Sequence, residues 1–304
     1  MVDLDFIVKY PFTKEAKDIV SNIEVSESLV DKAVELILSA LSGKIVEKIY
    51  IDDIEKKESI VVYATARMIL GAMRNRYVVS RFAVAYSKLA RKNINNESRE
   101  GIKKLLEEFN IRVKDGKIFL PDYLKYTPRD SHYALVNRQL NGGWVVINSE
   151  EEKRIIEEAI RKHLEVVPFL KNPAPFISRA VEEIEKRMPR QEDKRLPVAV
   201  KGDYPPCISY LIEELKKHHN LSHQARWFLA VYLINIGLSD EEIVSLFSNS
   251  PDFSEKITRY QVEHARKKGY KVPNCASVTS FGLCRAACGI TTPIQWRGKK
   301  NGSK

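Results

Sequence analysis

At 304 residues, 44% hydrophobic and 30% charged, the chain is long enough for one large domain or two and apolar enough to bury a core. The 50 basic and 40 acidic residues leave a net charge of +10, and four cysteines are too few for a secreted disulfide scaffold of this size. No stretch offers the roughly 18 consecutive apolar residues of a membrane span.

The chain opens on "MVDLDFIVKYPF", with early acidic residues and no apolar core of signal-peptide length, so a cytoplasmic location is expected. Most of the first 110 residues read as helix. "SESLVDKAVELILSALSGK" puts Leu29, Ala33, Leu36 and Ile37 on one stripe and stops at Gly43. "SIVVYATARMILGAMRNRYVVSRFAVAYSKLARKN" predicts a pair of long helices, and "ESREGIKKLLEEFN" an amphipathic one. The period then changes. "IRVKDGKIFLP" is two short alternating runs around Asp115-Gly116, a hairpin signal, and "GGWVVIN" reads as a strand. Helix returns in "SEEEKRIIEEAIRKHLEVV" and "PFISRAVEEIEKRM".

"RMPRQEDKRLPVAVKGDYPP" breaks the periodicity with four prolines and many charges, which predicts a linker. The expected organisation is a helical body over 1–190, a linker over 191–203, a second helical domain over 204–296 and a basic tail over 297–304. The charge is uneven: residues 201–304 carry 15 basic and 9 acidic residues, against 35 and 31 in the first 200. A basic domain attracts polyanions, nucleic acid foremost, although many basic soluble proteins bind none. Pro205-Pro206 sets up the start of "CISYLIEELKKHH", and Ser222 caps "HQARWFLAVYLINI". Ser239 with Glu242 is a capping-box pattern, and Gly269 ends "SEKITRYQVEHARKKG".

All four cysteines lie in the last third: Cys207, then Cys275, Cys284 and Cys288 within 14 positions. Three thiolates from one loop and one from a distant helix start can close around a metal centre and tie the ends of a small domain together. A structural zinc site, an iron–sulfur cluster and four unligated thiols compete. The lack of a C-x2-C knuckle favours the cluster over zinc; spacing alone leaves all three open. Two pairs of side chains stand out beside the cysteines. His223 and Arg226 share a face of one helix, and Tyr260 and His264 share a face of another. An arginine with a flanking histidine suits a triphosphate, and a tyrosine can stack on a base. The competing readings are a surface ion pair for Arg226 and a carbonyl or cluster-sulfur hydrogen bond for His264. Trp227, Phe228 and Tyr232 read as core, and the run at 266–268 as a solvated helix end. A polymerase centre needs clustered carboxylates. Asp3 with Asp5, and Asp52 with Asp53, are the only tempting pairs, and neither has a partner in a strand core, so no catalytic centre is expected in this chain.

"YPPCISYLIEELKKHHNLSHQARWFLAVYLINIGLSDEEIVSLF", "ITRYQVEHARKKGY" and "PNCASVTSFGLCRAACGITTP" together resemble the C-terminal domain of the large subunit of archaeal and eukaryotic DNA primase, over roughly 204–296. "RNRYVVSRFAVAYSKLA" is more loosely similar to the helical domain of the same family. The short spacing of the last cysteines is similar to that of archaeal members. The resemblance implies a mostly α protein: a helical N-terminal domain with a small β element, and a separate helical iron–sulfur domain. It implies that Cys207, Cys275, Cys284 and Cys288 ligate a 4Fe-4S cluster. It also implies that His223, Arg226, Tyr260 and His264 meet the 5′-triphosphate of the primer or initiating nucleotide and nearby single-stranded template. Leu229 stands where the family has an aromatic, and Ile234 where it has a lysine. The nucleotide-joining carboxylates would belong to a catalytic small subunit docked on the helical body, with room for a third subunit. The location would be cytoplasmic, on the nucleoid. The rival readings are an iron–sulfur DNA glycosylase and a zinc-stabilised nucleic-acid adaptor.

Overall fold

Helix starts follow the side chains that satisfy free backbone amides. Ser26 accepts from the Leu29 amide, Asp52 from those of Ile54 and Glu55, Asn75 from Val78 and Ser98 from Gly101. The computed structural model describes residues 3–21, 25–43, 45–128, 130–188 and 203–297. The expected linker and basic tail therefore lie, apart from Asp203 and Arg297, outside the described residues. The chain divides into two compact units: Met1–Pro128 with Arg138–Arg190, and Gln191–Lys304 with Arg129–Asn137. Among the described residues no helix is long and apolar enough to cross a membrane.

The first unit is helical with a small sheet. Helices α1 (Leu4–Lys9) and α2 (Lys14–Val20) lead into α3 (Glu27–Leu41), α4 (Asp53–Met73), α5 (Arg76–Asn95) and α6 (Arg99–Glu108). Then come β1 (Val113–Lys114), β2 (Lys117–Phe119), α7 (Leu120–Tyr126), β3 (Leu140–Asn141), β4 (Trp144–Val146), α8 (Ser149–Glu165) and α9 (Pro175–Arg187). The sheet is antiparallel throughout, in the order β1-β2-β4-β3. Asp115 and Gly116 at the β1–β2 turn both take positive φ, 48° and 68°, as a two-residue hairpin with right-handed strand twist requires. Ile118 and Val145 face each other in register and are fully buried.

Helix α8 packs along α5 and buries Ile155, Ile156, Ala159, Ile160 and Leu164. It also buries Glu151, Glu152, Glu157 and Glu158, a charged face that the sequence pattern would leave in water. Each finds an arginine: Arg138 for Glu151, Arg99 for Glu152, Arg154 for Glu157 and Arg161 for Glu158. The N-terminal acids likewise serve the fold. Asp3 caps α1, Asp5 pairs with Lys56 and Asp52 caps α4, so neither acidic pair is a free carboxylate cluster.

The second unit holds α10 (Pro206–Lys216), α11 (His223–Asn235), α12 (Asp240–Phe247), α13 (Glu255–Lys268) and α14 (Cys275–Ser280), closed by a 3-10 turn at Pro293–Gln295. Ser222 caps α11, Ser239 and Glu242 form a reciprocal capping box on α12, and Gly269 ends α13 at φ 61°. The core is built from Ile208, Leu211 and Leu215 of α10, Phe228 and Leu233 of α11 and Ile243 of α12. Leu229 is fully buried in this core and Ile234 packs against it.

Candidate cysteine centre and nucleic-acid interface

Cys207 is the second residue of α10, directly after Pro206, and is 7% exposed. Burial pushes its thiol up to about 11, and the nearby thiols of Cys275 and Cys288 push the same way. The amides of Ile208 and of Cys207 itself, open in the first turn of the helix, pull in the opposite direction by favouring the thiolate. Cys275 is the first residue of α14. Asn274 caps that helix by accepting from the Ser277 amide at 2.8 Å, and the Cys275 amide donates to the Thr291 carbonyl at 2.8 Å. Its thiol is raised by burial and then by Cys284 and Cys288. Cys284 and Cys288 turn toward one acceptor: their Sγ atoms lie 3.5 and 3.4 Å from the Ala286 carbonyl. Cys207 is thus near enough to feel Cys275 and Cys288, and Cys275 near enough to feel Cys284 and Cys288. Among the described residues, no group of three or more Cys, His, Asp or Glu is arranged so that it could hold a metal ion.

The loop that carries Cys284 and Cys288 is built on the end of α14. Leu283 donates back to the Val278 carbonyl at 3.0 Å while Gly282 takes φ 69°. The intervening Arg285 leaves the cysteine side, and its guanidinium lies 4.0 Å from the centroid of the Tyr210 ring.

Helices α11 and α13 pack on each other and present the second set of candidates. His223 is exposed at the first position of α11. Arg226, one turn on, is half-buried and donates from Nη1 to Asp252 at 2.7 Å. This is the surface ion pair that competed with the phosphate role in the sequence. Tyr260 is 67% exposed on α13, and its ring stacks near His264 with centroids 6.0 Å apart. His264 continues to Tyr270 at 6.5 Å, and Tyr270 meets the edge of Trp227 at 5.8 Å. Tyr260 and His264 are thus joined, whereas His223 and Arg226 stand on the adjoining helix start with Arg226 held by Asp252. Of the basic run at the end of α13, Arg266 bonds Asp240 and the Leu238 carbonyl, while Lys267 and Lys268 are exposed.

Three of these residues escape sequence reading. Trp227, expected in the core, does pack against it, but it is partly buried and its contact with Tyr270 is not foreseen. Tyr270 lies just past the Gly269 stop, outside any periodic pattern. Asp252 sits in an aperiodic loop, 26 residues from the arginine it holds. No local signal marks either contact.

Fold and site define a two-unit, mostly helical protein whose second unit carries all four cysteines and a pair of packed helices with basic and aromatic side chains. The family described as the C-terminal domain of the large subunit of eukaryotic and archaeal DNA primase matches residues 198–290. The similarity extends over the first unit as well. The DNA primase large subunit of Methanosarcina mazei is 30% identical over 322 aligned positions, covering 96% of this chain and 87% of that protein. That of Methanocella arvoryzae is 30% identical, covering 91% and 82%, and that of Archaeoglobus fulgidus 33%, covering 78% and 67%. The chain belongs to the DNA primase large-subunit family. Neither a repair glycosylase nor a zinc adaptor is favoured by these relatives.

Proposed function

We propose that this chain is the non-catalytic large subunit of a DNA primase, supporting initiation and length control of RNA primers in DNA replication. Its first unit docks a catalytic small subunit. Its second unit receives the triphosphate end of the initiating nucleotide or primer beside the single-stranded template. The observation that carries this reading is a coincidence in one unit: the family match at 198–290 covers the helices that gather the four thiols and display Arg226, Tyr260 and His264. The capping roles of Asp3 and Asp52 support the non-catalytic assignment, and a cytoplasmic, nucleoid-bound location follows from the role.

The donor set at the cysteine centre is sulfur alone, the set that suits an iron–sulfur cluster. A lone zinc ion would need the sulfurs about 3.8 Å apart, from its Zn–S bond length and tetrahedral geometry. Four thiolates serve zinc or a 4Fe-4S cluster alike, and the lack of a C-x2-C knuckle favours the cluster. Cys207, Cys275, Cys284 and Cys288 would hold it, and when bound it supplies a four-point covalent tie and one-electron redox chemistry.

The chain's own residues act by position. The first turn of α11 offers a positive end of the helix dipole, with His223 and Arg226 beside it. A triphosphate carries more charge than the Asp252 carboxylate and can take the guanidinium from it through paired charge-assisted bonds. Tyr260 and His264 offer ring faces for an adjacent base. Holding the first triphosphate near the partner's reacting groups turns a three-body encounter into a nearly intramolecular one.

The test uses the full chain with a catalytic small subunit on single-stranded template. Arg226→Ala is expected to lower de novo initiation by about tenfold or more, the worth of hydrogen bonds to a charged group, while extension of a supplied primer changes little. Asp252→Ala, which releases Arg226, is expected to keep initiation at or above the wild-type level. Equal losses in initiation and extension, or the same initiation defect in both variants, would assign Arg226 a structural role only.

A further inference from the structure

Cys207 lies on α10, and the other three cysteines lie on α14 and the loop after it. Two side chains bridge these parts without using a thiol. Tyr210 is three residues beyond Cys207, on the same face of α10, and is partly buried against the core of the unit. Arg285 follows Cys284 directly. Its guanidinium sits 4.0 Å from the Tyr210 ring centroid, and the same Nη1 donates to the carbonyls of Gly282, at 3.0 Å, and Cys284, at 3.2 Å. One planar group therefore fixes the turn that aims Cys284 and also clamps that turn onto the helix that aims Cys207. The rest of the loop is fastened to the same frame. Leu283 is bonded to Val278 of α14, and Cys275, at the head of α14, is bonded to Thr291 beyond Cys288. Hydrogen bonds and one cation–π contact thus tie α10, α14 and the loop that carries Cys284 and Cys288 to one another.

We propose that the Tyr210–Arg285 stack is a metal-independent latch that gathers the four thiols before any inorganic group is loaded and keeps them gathered if it is lost. The proposal rests on reading the four cysteines as one centre, but not on which group they hold. Tyr210 and Arg285 are positioning residues. Arginine suits the task because its planar fork can lie flat on a ring while its edge donates to carbonyls, which a lysine ammonium does less well. The latch also gives Arg285 a role other than phosphate binding, although it stands in the most basic third of the chain.

The test is made on the full chain after exhaustive chelation, by site-resolved alkylation with iodoacetamide at fixed pH, read by mass spectrometry for Cys207 against Cys288. Wild type is expected to protect Cys207 relative to its rate in denaturant. Arg285→Ala and Tyr210→Leu are expected to raise Cys207 alkylation about two- to fivefold, the range of an exposed cation–π contact. Tyr210→Phe, which keeps the ring, should match wild type, and Arg285→Lys should fall between. Circular dichroism checks that all variants remain folded. Equal Cys207 rates in wild type and Arg285→Ala would overturn the latch, as would a metal-free wild type whose Cys207 reacts like a denatured thiol. Iron retention of the loaded protein is measured separately: an iron-free chain with an intact latch would sink the cluster and spare the latch.

Discussion

Cys207→Ser is expected to abolish retention of the inorganic centre and to unfold the second unit at a lower temperature than the first. Cys207 is almost fully buried, near the thiols of Cys275 and Cys288 and within the apolar core that α10 and α11 build. A serine hydroxyl is a poor replacement for a thiolate ligand, and it leaves a polar group facing the core. Losing one ligand of a four-thiolate centre removes binding free energy that is also folding free energy. The loss should be on the order of 3–5 kcal/mol for the second unit, combining the missing ligand with the buried hydroxyl. Because the two units need not unfold together, a single midpoint would mislead. Hydrogen exchange is the better readout: amides of α10, α11 and α14 should lose protection while those of α5 and α8 keep it. Wild-type protection and wild-type iron in the variant would remove Cys207 from the centre.

Arg138→Ala is expected to destabilise the first unit by about 3–5 kcal/mol, the penalty for removing one partner of a buried ion pair. Arg138 grips Glu151 with two bonds, 2.7 and 2.8 Å, and the Val146 carbonyl with a third at 2.8 Å. The two side chains are 11% and 7% exposed. Glu151 is also the reciprocal partner of Asn148 in the capping box that starts α8. One arginine therefore joins the end of the sheet to the head of the helix that packs along α5. Alanine leaves a carboxylate buried and half-satisfied. Denaturant unfolding followed by circular dichroism should show the loss. The double change Arg138→Met with Glu151→Gln should recover part of it, since it removes the stranded charge. A single variant with an unchanged midpoint would mean that the pair contributes nothing net.

These two sites differ in how far the sequence reveals them. The cysteines announce themselves by residue type and clustering, and the helix starts by Ser, Asp and Asn before apolar runs. The Asp115-Gly116 hairpin is legible because few residue pairs accept two positive φ angles in succession. The glutamates of α8 are not legible: an acidic run at helical spacing reads as a solvated face, even though Arg154 and Arg161 of the same helix pair with two of them. Arg138 and Arg99 come from outside the helix and cannot be paired with it by period or propensity. Helix α7, the short helix α14 within the cysteine loop, and the grouping of Arg129–Asn137 with the second unit are hidden for a similar reason: tertiary contacts decide them, not local pattern. In the candidate site, the four side chains predicted from helical spacing do lie on two packed helices. The grip of Asp252 on Arg226 and the ring contacts through Tyr270 to Trp227 join residues that no periodicity connects.

Iron and acid-labile sulfide, quantified per chain in full-length protein purified without oxygen, are the most direct check on a second unit organised by one thiolate-bound cluster. About four of each per chain, with broad visible absorption that Cys207→Ser abolishes, is the predicted result. Stoichiometric zinc without iron, or freshly purified protein that carries neither iron nor sulfide, would contradict it.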